Sequence, residues 1–323
     1  MPTLHCLLPS DDWDHPVYKV LANNDTGNTT GHQGGVLIPV DLREFFPGLT
    51  GVYSADQPTV DQRVEAQLFV ENDYRGTVST RYQIQTWGGQ RSPETRLTDQ
   101  LGCLRNAATG GDVLVIQRSV GRLDYYRLTL IRKNSTEFTE IAELITDKRW
   151  GVLTDTPPVT TNDFDSALRE EASREKAPFS PFDTAASHFS STTRKVARSL
   201  AFRRTVLDLY DGCCAVCGEA LRTPSGLIEV DAAHIVPRSL YGADDARNGF
   251  ALCKRHHWAF DNGLFSIDEN RKVFVPALVS SIPQNTSLKI LHGVPVREAS
   301  NSALQIHPAA IQWHWKHTLI RSE

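Results

Sequence analysis

The chain has 323 residues and a mass of 36.0 kDa, enough for two domains, and its 40% of hydrophobic residues supplies a core for each. A formal net charge of −4 excludes a uniformly basic coat, yet residues 1–70 have three Lys and Arg against nine Asp and Glu, while residues 71–133 have ten against six. No stretch approaches the roughly 18 uninterrupted apolar residues of a membrane span, and MPTLHCLLPSDDWDH has no basic leader pattern, so a cytoplasmic protein with no membrane partner is expected.

Strand signals dominate the first part. GGVLIPV (Gly34 to Val40) and AQLFV (Ala66 to Val70) are short β-like runs, and VSTRYQIQTW (Val78 to Trp87) alternates with Val78, Tyr82 and Ile84 on one face. GDVLVIQRSVGRLDYYRLTLIRK (Gly111 to Lys133) predicts a hairpin turning near Gly121. Residues 1–149 therefore read as a mostly β, barrel-like domain. Residues 150–191, rich in Pro, Ser, Thr and Asp, read as a linker with a short solvated helix at Ser166 to Lys176. From Thr192 the pattern changes. A basic helix TTRKVARSLAFRRTVLDLY, with five Lys and Arg against one Asp, precedes a cysteine pair, a strand at Leu227 to Val230, a loop, a strand at Phe250 to Leu252 and a short helix. One strand-like stretch (Leu264 to Val275) and a final helix (Pro308 to Leu319) complete residues 192–323. The fold class expected is α+β in two domains.

The six cysteines are Cys6, Cys103, Cys213, Cys214, Cys217 and Cys253. Cys214 and Cys217 form a CxxC turn ending in Gly218, and Cys253 and His256 form a CxxH turn 36 positions after Cys217. Two turns that each offer two soft or borderline ligands predict a four-coordinate structural zinc site. Cys213 is a swapped ligand or, as favoured here, a bystander.

Between the two turns lie AHIVP (Ala233 to Pro237) and Asn248, and His257 follows His256 directly. Adjacent helical residues point about 100° apart, so the two imidazoles have separate tasks. His234, Asn248 and His257, in the frame AHIVP, NGFAL and HHWAFDNGLF, resemble the HNH nuclease family over about Arg203 to Val275, in the subset common among restriction endonucleases. The resemblance implies a ββα-metal fold that hydrolyses phosphodiesters. His234 would be the general base, Asn248 would fasten the loop, and His257 would face the cleft. Imidazole suits the base because its unperturbed pKa lies near neutrality. His257 and Asp261, four apart on one helical face, have the spacing of ligands for Mg2+ or another catalytic divalent cation. One departure stands out: many relatives place a metal-binding Asp or His just before the base, where this chain has Ala233. The nearest carboxylate, Asp231, would point to the opposite face of a regular strand.

Double-stranded DNA is the expected partner. Arg194, Lys195, Arg198, Arg203 and Arg204 on the basic helix, with Lys254 and Arg255 beside the histidine pair, are candidate phosphate contacts. RYQIQTWGGQRSPETRLTD (Arg81 to Asp99), GDVLVIQRS and YYRLTLIRK resemble the pseudo-barrel DNA-recognition domains of EcoRII-like and McrA-like restriction enzymes. In that domain Arg75, Arg81, Arg91 and Arg96 are candidates for reading guanine or gripping phosphate, and Trp87 for stacking on a base. The pairing of reader and nuclease implies cleavage of DNA bearing methylated or hydroxymethylated cytosine. The alternatives are a type II restriction enzyme for an unmodified site, or a zinc-containing DNA-binding protein that does not cut. One centre per chain and two strands to break imply a homodimer.

Overall fold

The computed structural model describes residues 4–8, 12–27, 34–51, 58–86, 92–120, 122–183, 192–223 and 228–320. It divides into two compact units, Met1–Asp163 and Phe164–Glu323.

The first unit is one curled mixed sheet. Its strands are β1 (Val17–Val20), β2 (Val36–Ile38), β3 (Thr59–Val70), β4 (Asp73–Gln85), β5 (Glu94–Leu97), β6 (Val113–Arg118), β7 (Tyr125–Ile131) and β8 (Trp150–Val152), with a short helix α1 (Gly102–Ala107) between β5 and β6. The order is β2-β5-β4-β3-β7-β6-β1-β8. All the pairings are antiparallel except β3 with β7, so the unit is an antiparallel sheet curled around one parallel seam. The long β3–β4 hairpin turns at Glu71, which takes a left-handed φ of 51°, and a register shift at Leu68/Phe69 leaves Arg75 as the extra residue of a bulge. β6 is buried along its whole length, which explains its unbroken apolar run VLVI. Phe46 stacks between Tyr82 and Tyr126, at 4.8 Å from each ring, and anchors the core. The β6–β7 hairpin forms as expected, though its turn at Gly121 lies outside the described residues.

The second unit contains most of α2 (Thr161–Ser173), then α3 (Thr192–Leu209), β9 (Val230–His234), β10 (Gly249–Cys253) and α4 (Lys254–Asp261). β11 (Ser266–Ile267), β12 (Val273–Phe274), α5 (Ala277–Ser280), α6 (Thr286–Lys289) and α7 (Pro308–His317) follow. β9 and β10 pair antiparallel with His234 opposite Gly249, and both α3 and α4 pack on this hairpin. The first of the two strands begins at Val230 and runs to His234, later than the apolar run LIEV suggested, because the ladder extends through the small residues Ala232 and Ala233 to the loop. Leu227 lies outside the described residues. The single strand expected over Leu264 to Val275 is instead the two-stranded β11–β12 ribbon, bent by a turn at Asn270 and Arg271.

The stretch expected to be a linker contains ordered structure. Trp150–Val152 is the edge strand β8, and α2 buries Phe164, Ala167 and Glu171, one helical stripe of a sequence whose charged residues masked its amphipathic face. Within the second unit, residues 171–183 line the loop between β9 and β10. Glu171 accepts the Ala246 N–H at 2.6 Å, Ala177 O accepts Arg247 Nη1 at 3.0 Å, and Pro181 O accepts the Ala243 N–H at 3.0 Å. Residues 184–191 lie outside the described set.

Candidate active site and metal cluster

The two sites stand on either side of α4. Cys214 and Cys217 sit in a tight turn closed by the Gly218 N–H on Cys214 O (2.8 Å), and Cys253 is the N-cap of α4. His256, one turn into the helix and buried, points its Nδ1 to Cys253 Sγ (3.2 Å) and Cys214 Sγ (3.4 Å), with its ring edge-on to Phe265. The four ligand atoms of Cys214, Cys217, Cys253 and His256 lie within 4.8 Å of one another. Three sulfurs and one imidazole nitrogen gathered this closely fit the tetrahedral shell of zinc, so the cluster could hold that ion. A hydrogen bond from Cys253 holds the Cys214 thiol well below its ordinary range against the effect of burial, and the same bond raises Cys253, its donor. Cys213 turns its sulfur to Asp211 O and is not part of the group.

On the other side, Asn248 is fully buried and fastens the loop between the strands. Its Oδ1 accepts the Val236 N–H at 3.0 Å, and its Nδ2 donates to Val236 O and Ala243 O. Asn248-Gly249 is not a simple turn, since Gly249 is extended at φ −154° and begins β10. Glycine is needed there for space, because a Cβ would lie 2.5 Å from the Phe202 ring of α3. That same ring stacks on His234 at 3.9 Å and 18°, fixing the plane of the imidazole.

His257 is half-buried and bridges two carboxylates. Its Nδ1 is 3.1 Å from Asp231 Oδ2, and its Nε2 is 3.5 Å from Asp261 Oδ2. Asp231 also accepts from Lys254 Nζ (2.8 Å) and Arg203 Nη1 (3.2 Å). Burial alone would raise its carboxyl, but the bonds from His257 and Lys254 hold it far below the ordinary range. Burial raises Asp261, while the imidazoles of His257 and His234 and the charge of Asp231 also act on it, so these four groups share one electrostatic neighbourhood. Strand alternation does separate Asp231 from His234, yet the Asp231 carboxylate reaches α4 and becomes the anchor of His257. Two carboxylates that the motif reading did not assign thus belong to the site: Asp231, and Asp244, whose Oδ1 is 3.1 Å from His234 Nε2. The pattern ADDARNG carries no periodicity that marks either of its aspartates, and only the folded loop does.

The basic residues divide. Lys195 and Arg255 are exposed, as is Arg194, which is 3.7 Å from Glu170. Arg204 pairs with Asp208, and Arg75 with Asp73. Arg81 makes two bonds to Asp61, at 2.8 and 3.0 Å. Arg198 and Arg96 do not fit the phosphate-contact role expected of them. Each is only 6% exposed, Arg198 against Asp183 and Glu170, and Arg96 against Glu94. Their charge is spent inside, because α3 packs its Arg198 face inward and β5 is covered. Trp87 and Arg91 lie outside the described residues. Trp258, 63% exposed, stands with Lys254 and Arg255 on the arc of α4 turned away from His256. The second unit also has a hollow of about 580 Å3 lined by Ile267, Phe274, Ile311 and Trp315 among others, but none of the histidines or acids above lines it.

Comparison with known proteins gives this arrangement its class. Residues 214–268 match the HNH endonuclease family, so the chain carries an HNH endonuclease domain and is a nuclease. That stretch spans the CxxC turn, His234, Asn248, both histidines of α4 and Asp261. No curated protein matches the chain. Among solved structures, a modification-dependent TagI restriction endonuclease is similar at 14% identity, with 93% of this chain and 98% of that one covered and a TM-score of 0.33. The B3 domain of the UbaLAI restriction endonuclease with cognate DNA is similar at 19% identity, with 43% and 86% covered and a TM-score of 0.31. No helix among the described residues is long and apolar enough to cross a membrane.

Proposed function

We propose that this protein is a restriction-type DNA endonuclease whose second unit hydrolyses the phosphodiester and whose first unit selects DNA bearing methylated or hydroxymethylated cytosine. The observation that carries the nuclease part is the pairing of His257 Nε2 with Asp261 Oδ2 at 3.5 Å, in an electrostatic neighbourhood shared with His234, inside the matched stretch. His234 takes a proton from the attacking water, and Asn248 holds the loop that aims it. His257 Nε2 and Asp261 Oδ2, a nitrogen and an oxygen 3.5 Å apart and open to solvent, suit a divalent cation such as Mg2+. When bound, that ion supplies charge stabilisation to the phosphate and the leaving oxygen. Asp231, saturated by Lys254, Arg203 and His257, orients His257 rather than ligating. Cys214, Cys217, Cys253 and His256 hold structural zinc. Exposed Lys195, Arg194, Arg255 and Trp258 offer the DNA face of this unit, and Arg75 and Arg81 are reader candidates. Two copies of the chain would cut the two strands, in the cytoplasm where such DNA is met.

The test is plasmid cleavage. Methylated, hydroxymethylated and unmodified plasmids are incubated with Mg2+, Mn2+ or EDTA. Cutting of modified DNA only, with metal only, is expected. Equal cutting of unmodified plasmid removes the modification reading and leaves the type II alternative, and no cutting of any plasmid removes the nuclease mechanism.

A further inference from the structure

His234 has a partner that the nuclease motif does not contain. The carboxylate of Asp244 is 1% exposed, and its Oδ1 lies 3.1 Å from His234 Nε2. Its other oxygen is 3.1 Å from Arg238 Nη1, which balances the buried charge. Phe202 stacks on one face of the His234 ring and holds its plane, while β10 pairs with the backbone of His234 and fixes where the side chain begins. Asp244 itself is held in the loop that Asn248 closes and that Glu171 supports through Ala246.

As the ion-pair partner of Arg238, Asp244 presents Oδ1 to the imidazole as an acceptor. The Nε2 that faces it must carry the hydrogen, and a neutral imidazole then keeps its lone pair on Nδ1. We infer that Asp244 is a positioning residue that locks His234 in the Nε2–H tautomer, so that Nδ1 is the atom that receives the proton of the attacking water. This inference rests on His234 being the general base. In the step, an O–H bond of water breaks and its proton goes to Nδ1. The water oxygen forms the new bond to phosphorus, and the bond to the leaving oxygen breaks, the electron pair departing with that oxygen. The imidazolium so formed has N–H groups on both sides, and Asp244 stabilises its charge without taking a proton, as a carboxylate does behind a histidine in other hydrolases.

The experiment uses the full-length enzyme, Mg2+ and the plasmid that the wild type cuts. Asp244→Asn keeps the shape but can offer an amide N–H to Nε2, which permits the opposite tautomer and buries the lone pair where water cannot reach it. We expect kcat to fall by about 100-fold to 10,000-fold, with KM and the DNA Kd within about twofold and the cluster's zinc retained. Histidine 15N spectra, with the His234 signal assigned by its loss in His234→Ala, should show hydrogen on Nε2 in the wild type and on Nδ1 in a substantial fraction of the variant. Wild-type enzyme with hydrogen on Nδ1 overturns the inference even if the variant fails to fold. So does an Asn variant that cuts at the wild-type rate while His234→Ala is dead. If His234→Ala itself still cuts, the general-base reading fails instead.

Discussion

His256 and His257 are consecutive residues of one helix, and their surroundings differ in every respect. The first is buried with its Nδ1 between two sulfurs; the second is partly open with each nitrogen near a carboxylate. The cluster around His256 is assembled from two local turns, CxxC and CxxH, and needs only that β10 and the knuckle meet. The cleft around His257 draws on the end of β9, a loop residue ten positions further on, a buried asparagine and both ends of α4. On the proposed function, one side of the helix holds the fold and the other depends on the fold being held.

This contrast can be broken from either side. The largest effect is expected from Cys217→Ser or Cys253→Ser. Metal binding contributes roughly 10–16 kcal/mol in small zinc modules, so both variants should lose zinc and the cooperative melt of the second unit, and His256→Ala should follow them. A native melt without zinc would show that the cluster does not hold the unit together. Next in size, His257→Ala should abolish cleavage by removing a ligand of the catalytic cation, while zinc content, melting and DNA affinity stay close to wild type. If instead His257→Ala sheds zinc and His256→Ala keeps it, the assignment of the two faces is reversed.

A smaller effect sharpens the dependence of the cleft on its supports. Burial raises the Glu171 carboxyl from 4.5 to about 7, opposed by its bond to the Ala246 N–H and by Arg174. The folded protein then binds this proton more tightly than the unfolded chain does, so stability falls as pH rises from about 4.5 to about 7, by up to about 3 kcal/mol. Glu171→Gln, which preserves an acceptor for Ala246, should flatten that part of the melting-temperature profile. Superimposable profiles for the two proteins would count against a buried, protonatable Glu171. The mildest change should come from Cys213→Ser, with zinc content and melting unaltered, because its sulfur faces Asp211 O outside the group.

The legibility of each part follows from the range of its interactions. β6 and β7 were readable because their apolar runs and central turn lie within one short segment, and α4 because His256, His257 and Asp261 share one helix. β8 was missed because a three-residue edge strand, WGV, has no periodicity and is defined by its partner β1. SALREEASREK predicts a solvated helix from Ser166 rather than the half-buried α2 from Thr161, because it is charged throughout and the burial of Glu171 is visible only beside Ala246. Arg198 and Arg96 read like their exposed neighbours, yet paired acids brought from elsewhere in the fold draw them inside.

By itself the sequence determined which residues could be ligands of the cluster and the order His234, Asn248, His257. Those features are encoded by spacing along the chain, and spacing survives without a fold. Only the tertiary structure decided that Asp231 anchors His257 and that Asp244 faces His234. A carboxylate can sit beside any imidazole within reach, and the direction of two side chains, one on a strand and one in a loop, is settled by how α3, α4 and the β9–β10 hairpin pack together.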